Sequence, residues 1–121
     1  MADELNASGG RRPKHGDVWK DGSLVTTFLE GVRGGIPFAA EQLDVMVRLL
    51  SARDAPVRSF LDLGSGAGTV AASVLSAYPD ARAVLVDFSP GMLAEARSRF
   101  GDDRHTLVQA DLDDACWADA V

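Results

Sequence analysis

Apolar residues recur along this chain first at helical spacing and then in short strand-like runs, and the change comes near Val57. Helical periodicity begins after Trp19, where Ser23 is the expected N-cap of a helix through Leu24-Val25-Thr26-Thr27-Phe28-Leu29. Gly31 or Gly34-Gly35 ends that segment, and Pro37 opens the next. There Leu43, Met46, Val47 and Leu50 fall at i, i+3, i+4 and i+7, which predicts one buried face of an amphipathic helix from about Ala39 to Ala52. Asp54-Ala55-Pro56 breaks it.

After Val57 the pattern is that of strands alternating with helices. Ser59-Phe60-Leu61-Asp62-Leu63 is a short apolar strand running into glycines, and Thr69 to Ala77 is a helix with Val70, Val74 and Leu75 available for burial. Tyr78-Pro79-Asp80 stops it. Ala83-Val84-Leu85-Val86 is nearly continuous in apolar residues, as expected of a parallel strand covered on both faces. Ser89-Pro90 sets an N-cap before a proline at the first helical position, and the helix carries Leu93, Ala96 and Phe100 on one side as far as Gly101. His105-Thr106-Leu107-Val108-Gln109-Ala110 is a third strand, and Asp111 to Val121 reads as the start of another helix. Successive βαβ units with right-handed crossovers give an α/β fold, a parallel sheet with helices on its faces.

Met1 to about Asp17 stands apart. It is polar and rich in small residues around Gly9-Gly10-Arg11-Arg12-Pro13-Lys14, without an apolar run, so a flexible solvated tail is expected and a secretory leader is not. The 121 residues are 46% hydrophobic and 25% charged, which suits one compact domain. Twelve Lys and Arg against eighteen Asp and Glu give a net charge of −6, the wrong sign for a general nucleic-acid binder. No apolar stretch approaches the ~18–20 residues of a membrane span, and a cytoplasmic setting is expected. The lone Cys116 excludes an internal disulfide framework and a multi-cysteine zinc site.

Candidate chemistry gathers at the C-terminal ends of the strands, where open α/β sheets bind ligands. The first feature is Asp62-Leu63-Gly64-Ser65-Gly66-Ala67-Gly68, whose alternating glycines permit a tight turn and close approach of a ligand to the backbone. Alone, such a turn is equally consistent with a purely structural role. The second feature, Asp87, ends the next strand nineteen residues beyond Gly68, where a carboxylate can accept from both hydroxyls of a ribose. The third is Asp111, after the third strand. A nicotinamide dinucleotide site would place Gly or Ala where Thr69 stands and would keep carboxylates away from the pyrophosphate. Asp62, two residues before Gly64, suits a ligand carrying positive charge instead.

Asp62 to Gly68, then Val86-Asp87-Phe88-Ser89-Pro90-Gly91-Met92-Leu93, then Ala110-Asp111-Leu112 resemble the ordered motifs of the class I S-adenosylmethionine-dependent methyltransferases, over roughly Val57 to Trp117. The resemblance implies a Rossmann-like, seven-stranded sheet of which this chain holds the first three strands in the order 3-2-1, preceded by N-terminal helices. It implies that Gly64, Ser65 and Gly66, with Gly68 completing the motif, line the methionine part of the cofactor, and that Asp62 orients its amino group. Asp87 would hold the ribose, Phe88 and Met92 would pack near the adenine, Asp111 would accept from the adenine amino group, and the Leu112 N–H would reach a ring nitrogen. Simple helix–sheet packing is an equal alternative for Met92.

The organisation expected is therefore a polar tail over 1–17, a helical cap over 18–54 and an S-adenosyl-L-methionine-binding half-domain over 55–121, truncated before the fourth strand. In this family N-terminal helices often help to form the acceptor pocket, which Trp19, Phe28, Arg33 and Phe38 are placed to do, with core packing as the alternative for the aromatics. No catalytic residue is assigned, since neither His15 nor His105 suits a general base, and Cys116 and Trp117 read as packing residues. Methyl transfer to a small molecule, or alternatively to a protein, is the function implied. A non-catalytic S-adenosylmethionine-binding or regulatory module is the second reading, and an NAD-dependent oxidoreductase a distant third. The apolar edge of the first strand is a candidate for self-association.

Overall fold

The computed structural model describes residues 17–101, 103 and 105–121. Residues 1–16 of the expected tail, His15 among them, and the side chain of Arg33 lie outside what is described. Strands β1 (Ser59–Leu63), β2 (Arg82–Asp87) and β3 (His105–Gln109) form one parallel sheet in the order β1-β2-β3, the expected 3-2-1 seen from the other edge. In register, Leu63 lies beside Val86 and Val86 beside Val108.

The crossover helices α3 (Thr69–Ala77) and α4 (Pro90–Phe100) pack on the same face of the sheet. Ala71 of α3 and Ala96 of α4 meet Ala83 and Leu85 of β2, and all four are closed to solvent. Three of these residues are alanines, so both helices sit close to the strand while Leu85 fills the space between them. Phe60, Leu75, Phe100 and Leu107 complete this layer. On the other face Val86 is fully buried, but Leu61 and Leu63 of β1 are 44% and 46% exposed. Among the described residues β1 pairs with β2 alone and forms an edge of the sheet.

Helix α2 (Ala39–Ser51) is anchored by Met46 and Leu50, which pack against Val57, Val74 and Ala81. The face expected to be buried is only half-buried, because Leu43 and Val47 line an open groove between α2 and α3. The α4 cap follows expectation: the Ser89 hydroxyl accepts from the Met92 N–H at 3.3 Å, and Pro90 opens the helix.

Three local expectations are corrected. Helix α1 (Gly22–Thr27) is capped by Asp21, not Ser23. The Asp21 carboxylate accepts from both the backbone N–H and the hydroxyl of Ser23, at 2.9 and 2.8 Å, and these bonds hold its pKa below the ordinary value. That helix then widens into a π turn over Phe28–Val32 and tightens into a 3-10 turn over Arg33–Gly35. The C-terminal segment forms no α-helix, only a 3-10 turn over Trp117–Ala120. Asp111 accepts from the Asp113 N–H and Asp114 from the Cys116 N–H, each at 3.0 Å, and such side-chain bonds compete with helix formation. Cys116 is exposed and is not a packing residue, whereas Trp117 is half-buried.

Candidate functional site

The β1–α3 turn curls over the C-terminal end of β2. The backbone N–H groups of Gly64 and Ser65 both donate to the Val86 carbonyl, at 2.8 and 3.0 Å, and Gly68 N–H donates to the Ser65 carbonyl at 2.9 Å. Gly66 N–H donates to Oδ2 of Asp87 at 2.8 Å, while the other oxygen of that carboxylate accepts from Ser89 N–H at 2.9 Å. The turn therefore points these amides inward, at its own fold. A loop so built is a poor cradle for a diphosphate, which needs free N–H groups.

Gly68 carries two requirements at once. Its φ of +78° lies in the left-handed region, and a Cβ there would run into Phe100 and approach Leu85 Cδ2 to 3.1 Å. Gly64 is also left-handed, at φ +70°, but faces open space. Gly68 thus seats the turn on the α4 and β2 side chains behind it, and it is Gly64, Ser65 and Gly66 that line the cavity.

That cavity has two lobes joined at Gly64, Asp87 and Phe88. One, of about 200 Å³, is lined also by Asp17, Ala110, Asp111, Leu112 and Asp113. The other, of about 360 Å³, runs past Ser65, Gly66, Ala67 and Met92 to an apolar wall of Trp19, Phe28, Leu29 and Val70. Their size is that of a small-molecule site. The smaller lobe is rich in carboxylates, so it favours hydroxyl and amino donors and repels phosphate. Among the described residues no group of three or more His, Cys, Asp or Glu converges as a metal site.

The N-terminal segment crosses both lobes. Trp19 meets Phe28 edge to face with ring centroids 5.1 Å apart, and both pack with Val25, Ala67 and Met92. Lys20 places its ammonium 5.6 Å from the Phe88 ring centre and pairs with Asp17 at 3.0 Å. Such a cation over an aromatic face holds the strap against the site.

The structure brings together Gly64, Ser65, Gly66, Asp87, Phe88, Met92, Asp111 and Leu112 of the expected set. Asp62 sits beneath the turn, with its Oδ2 buried and without a partner. Burial pushes its pKa up, the Ala71 backbone amide partly offsets this, and the charge of Asp87 adds to the rise. Of the aromatics offered for an acceptor pocket, Trp19 and Phe28 line the larger lobe, and Phe38 is 73% exposed and lines neither. Val70, expected in the core, is a wall residue instead; it follows Thr69 at the start of α3, and helical side chains lean toward the N-terminus. Asp17 and Leu29 also line the site without a sequence signal: one closes the polar leader and the other reads as generic helix packing.

Comparison with known proteins agrees with this geometry. Residues 60–120 match the family model described as a methyltransferase domain. The chain is 37% identical over 60 residues to the malonyl-[acyl-carrier protein] O-methyltransferase of Anoxybacillus flavithermus, covering 50% of this chain and 23% of that protein. It is 36% identical over 101 residues to the ribosomal RNA large subunit methyltransferase G of Shewanella amazonensis, covering 79% and 25%. The chain thus spans about a quarter of the length of these curated relatives. Among solved structures, the sugar N-methyltransferase KedS8 from a Streptoalloteichus species aligns with a TM-score of 0.56 and 27% identity, over 94% of this chain and 40% of that one. The chain belongs to the methyltransferase domain family, the class I S-adenosylmethionine-dependent methyltransferases.

Proposed function

We propose that the chain binds S-adenosyl-L-methionine across the two lobes and supplies the cofactor side of a methyl transfer to a small-molecule acceptor. The observation that carries this reading is the placement of Asp87. Its carboxylate stands where the lobes join, oriented by the Gly66 and Ser89 amides, with lone pairs left to accept from ribose hydroxyls. In the smaller lobe, Phe88 offers a flat apolar face to the adenine and Asp111 an acceptor for its amino group, with the Leu112 N–H beside it. In the larger lobe the turn and Met92 flank the amino-acid arm, and Asp62, which lies beneath the turn and lines neither lobe, reaches its ammonium through water.

Bound there, the sulfonium supplies an already activated methyl group. What the protein adds is position and an apolar wall, formed in the larger lobe by Trp19, Phe28, Leu29 and Val70. In-line placement at roughly 3–3.5 Å accounts for much of such a rate without a dedicated base. His105 is not placed to act as one, since it opens β3 at the opposite end of the sheet, its ring against Phe100 at 5.3 Å. The carboxylate-rich lobe and the net charge of −6 favour a small acceptor over a nucleic acid.

Calorimetric titration of S-adenosylhomocysteine into the wild type and an Asp87→Ala variant tests the reading. Binding by the wild type, weakened at least tenfold by the substitution, is expected for loss of hydrogen bonds to a charged group. A folded wild type that does not bind contradicts it.

A further inference from the structure

The larger lobe extends beyond the groups that flank an amino-acid arm. Past the turn and Met92 it continues to Trp19, Phe28, Leu29 and Val70. Trp19, Phe28 and Leu29 also pack against Val25, Ala67 and Met92, so these three have a structural role as well. Val70 is not part of that cluster. It stands in the first turn of α3, is 37% exposed, and still presents a valine to the lobe. The ammonium and carboxylate of an amino-acid arm gain nothing from such a wall, which favours an apolar occupant.

Charge narrows the chemistry of that occupant. Among the described residues, the ionisable side chains lining the two lobes are Asp17, Asp87, Asp111 and Asp113, all carboxylates. Lys20 stands over the Phe88 ring and pairs with Asp17, but it lines neither lobe. A phosphorylated or carboxylate-bearing acceptor would therefore meet like charge. A sugar would press its hydroxyls on a wall whose one polar side-chain group is the indole N–H of Trp19, and would leave most of them unpaired. An aromatic wall instead suits another flat ring, stacked or edge-on, as Trp19 and Phe28 already meet each other. We infer that the methyl acceptor is an uncharged, flat apolar ring compound that docks on Trp19, Phe28, Leu29 and Val70; this rests on the cofactor reading above, which leaves that wall to a second ligand.

The test titrates three probes, 2-naphthol, the anionic 2-naphthoate and glucose, into protein first saturated with S-adenosylhomocysteine. Binding is read from the shifts of the Trp19 indole N–H and the residue 70 side chain, for the wild type, Val70→Lys and Val70→Gln. Residue 70 is partly exposed, and thermal melts confirm that both variants fold. The wild type is expected to bind 2-naphthol at least about tenfold more tightly than either other probe. Both substitutions should weaken 2-naphthol about three- to tenfold, as for loss of part of a buried valine contact. Lysine should also tighten 2-naphthoate by about threefold or more, and glutamine should not. Naphthoate or glucose binding the wild type as tightly as 2-naphthol overturns the inference, as does 2-naphthol affinity indifferent to both substitutions. A wild type that binds S-adenosylhomocysteine but none of the probes overturns it while sparing the cofactor reading. A wild type that does not bind S-adenosylhomocysteine removes that reading, and the inference falls with it.

Discussion

The backbone N–H of Gly66 donates to Oδ2 of Asp87 at 2.8 Å, so one carboxylate at the end of β2 both shapes the glycine turn and faces the ligand. The second oxygen holds Ser89, the residue that caps α4. Asp87 therefore joins the turn, the sheet and the next helix. Asp87→Ala leaves two backbone amides without partners and is expected to cost about 1–3 kcal/mol of stability in denaturant unfolding, with Asp87→Asn in between. Stability unchanged by both substitutions contradicts the structural half of this role.

Gly68 and Gly64 separate two effects of side chains in left-handed glycine positions. At Gly68 an added Cβ meets Phe100 and Leu85 as well as backbone strain, whereas at Gly64 it meets open space. Gly68→Ala is expected to destabilise by about 2–4 kcal/mol and Gly64→Ala by about 1 kcal/mol, read from urea midpoints. Trimming the obstruction with Phe100→Leu should recover part of the Gly68→Ala loss. Equal costs at the two positions contradict the packing role assigned to Gly68.

Asp62 gives a pH dependence of definite sign. Burial, with Asp87 nearby, holds its carboxyl above the ordinary ~3.9, so the fold prefers the protonated form. The stability this brings is complete below the ordinary value and is lost as pH rises through the raised one. Asp62→Asn should therefore melt higher than the ligand-free wild type at neutral pH, with the difference closing as pH falls toward 4. The same substitution should weaken S-adenosylhomocysteine binding. A melting difference that does not vary with pH removes the linkage.

The edge strand predicts association. Leu61 and Leu63 are each nearly half-exposed on β1, whose outer side is unpaired among the described residues. Light scattering should show oligomers that grow with concentration, and Leu61→Lys, a charge on an exposed edge, should suppress them. A wild-type monomer at all concentrations contradicts this expectation.

Much of the fold was legible because its signals are local. Ser89-Pro90 marks the start of α4, the apolar run Ala83–Val86 marks the central strand, and Asp87 falls where that strand must end. What escaped the pattern depends on competition or on distance. Asp21 takes the cap from Ser23 because a carboxylate two residues upstream accepts both of its donors. The C-terminal segment carries helical spacing, yet Asp111 and Asp114 draw its amides into turns. At the site, residue types and spacing exposed the glycine turn and the three acids. They could not tell that Gly68 supports the turn from behind, or that Val70 and Asp17 reach the cavity, since those contacts join elements far apart in the chain.

The central claim is that one nucleoside cofactor spans the two lobes around Asp87, and chemical-shift mapping tests it most directly. Adding S-adenosylhomocysteine to the isotopically labelled chain should shift the amides of Gly64–Ala67, Asp87–Ser89 and Asp111–Leu112 together, with a single saturation curve. Arg58 and Tyr78, at the other end of the sheet, should stay still. Shifts confined to one lobe, centred at that other end, or absent would contradict it.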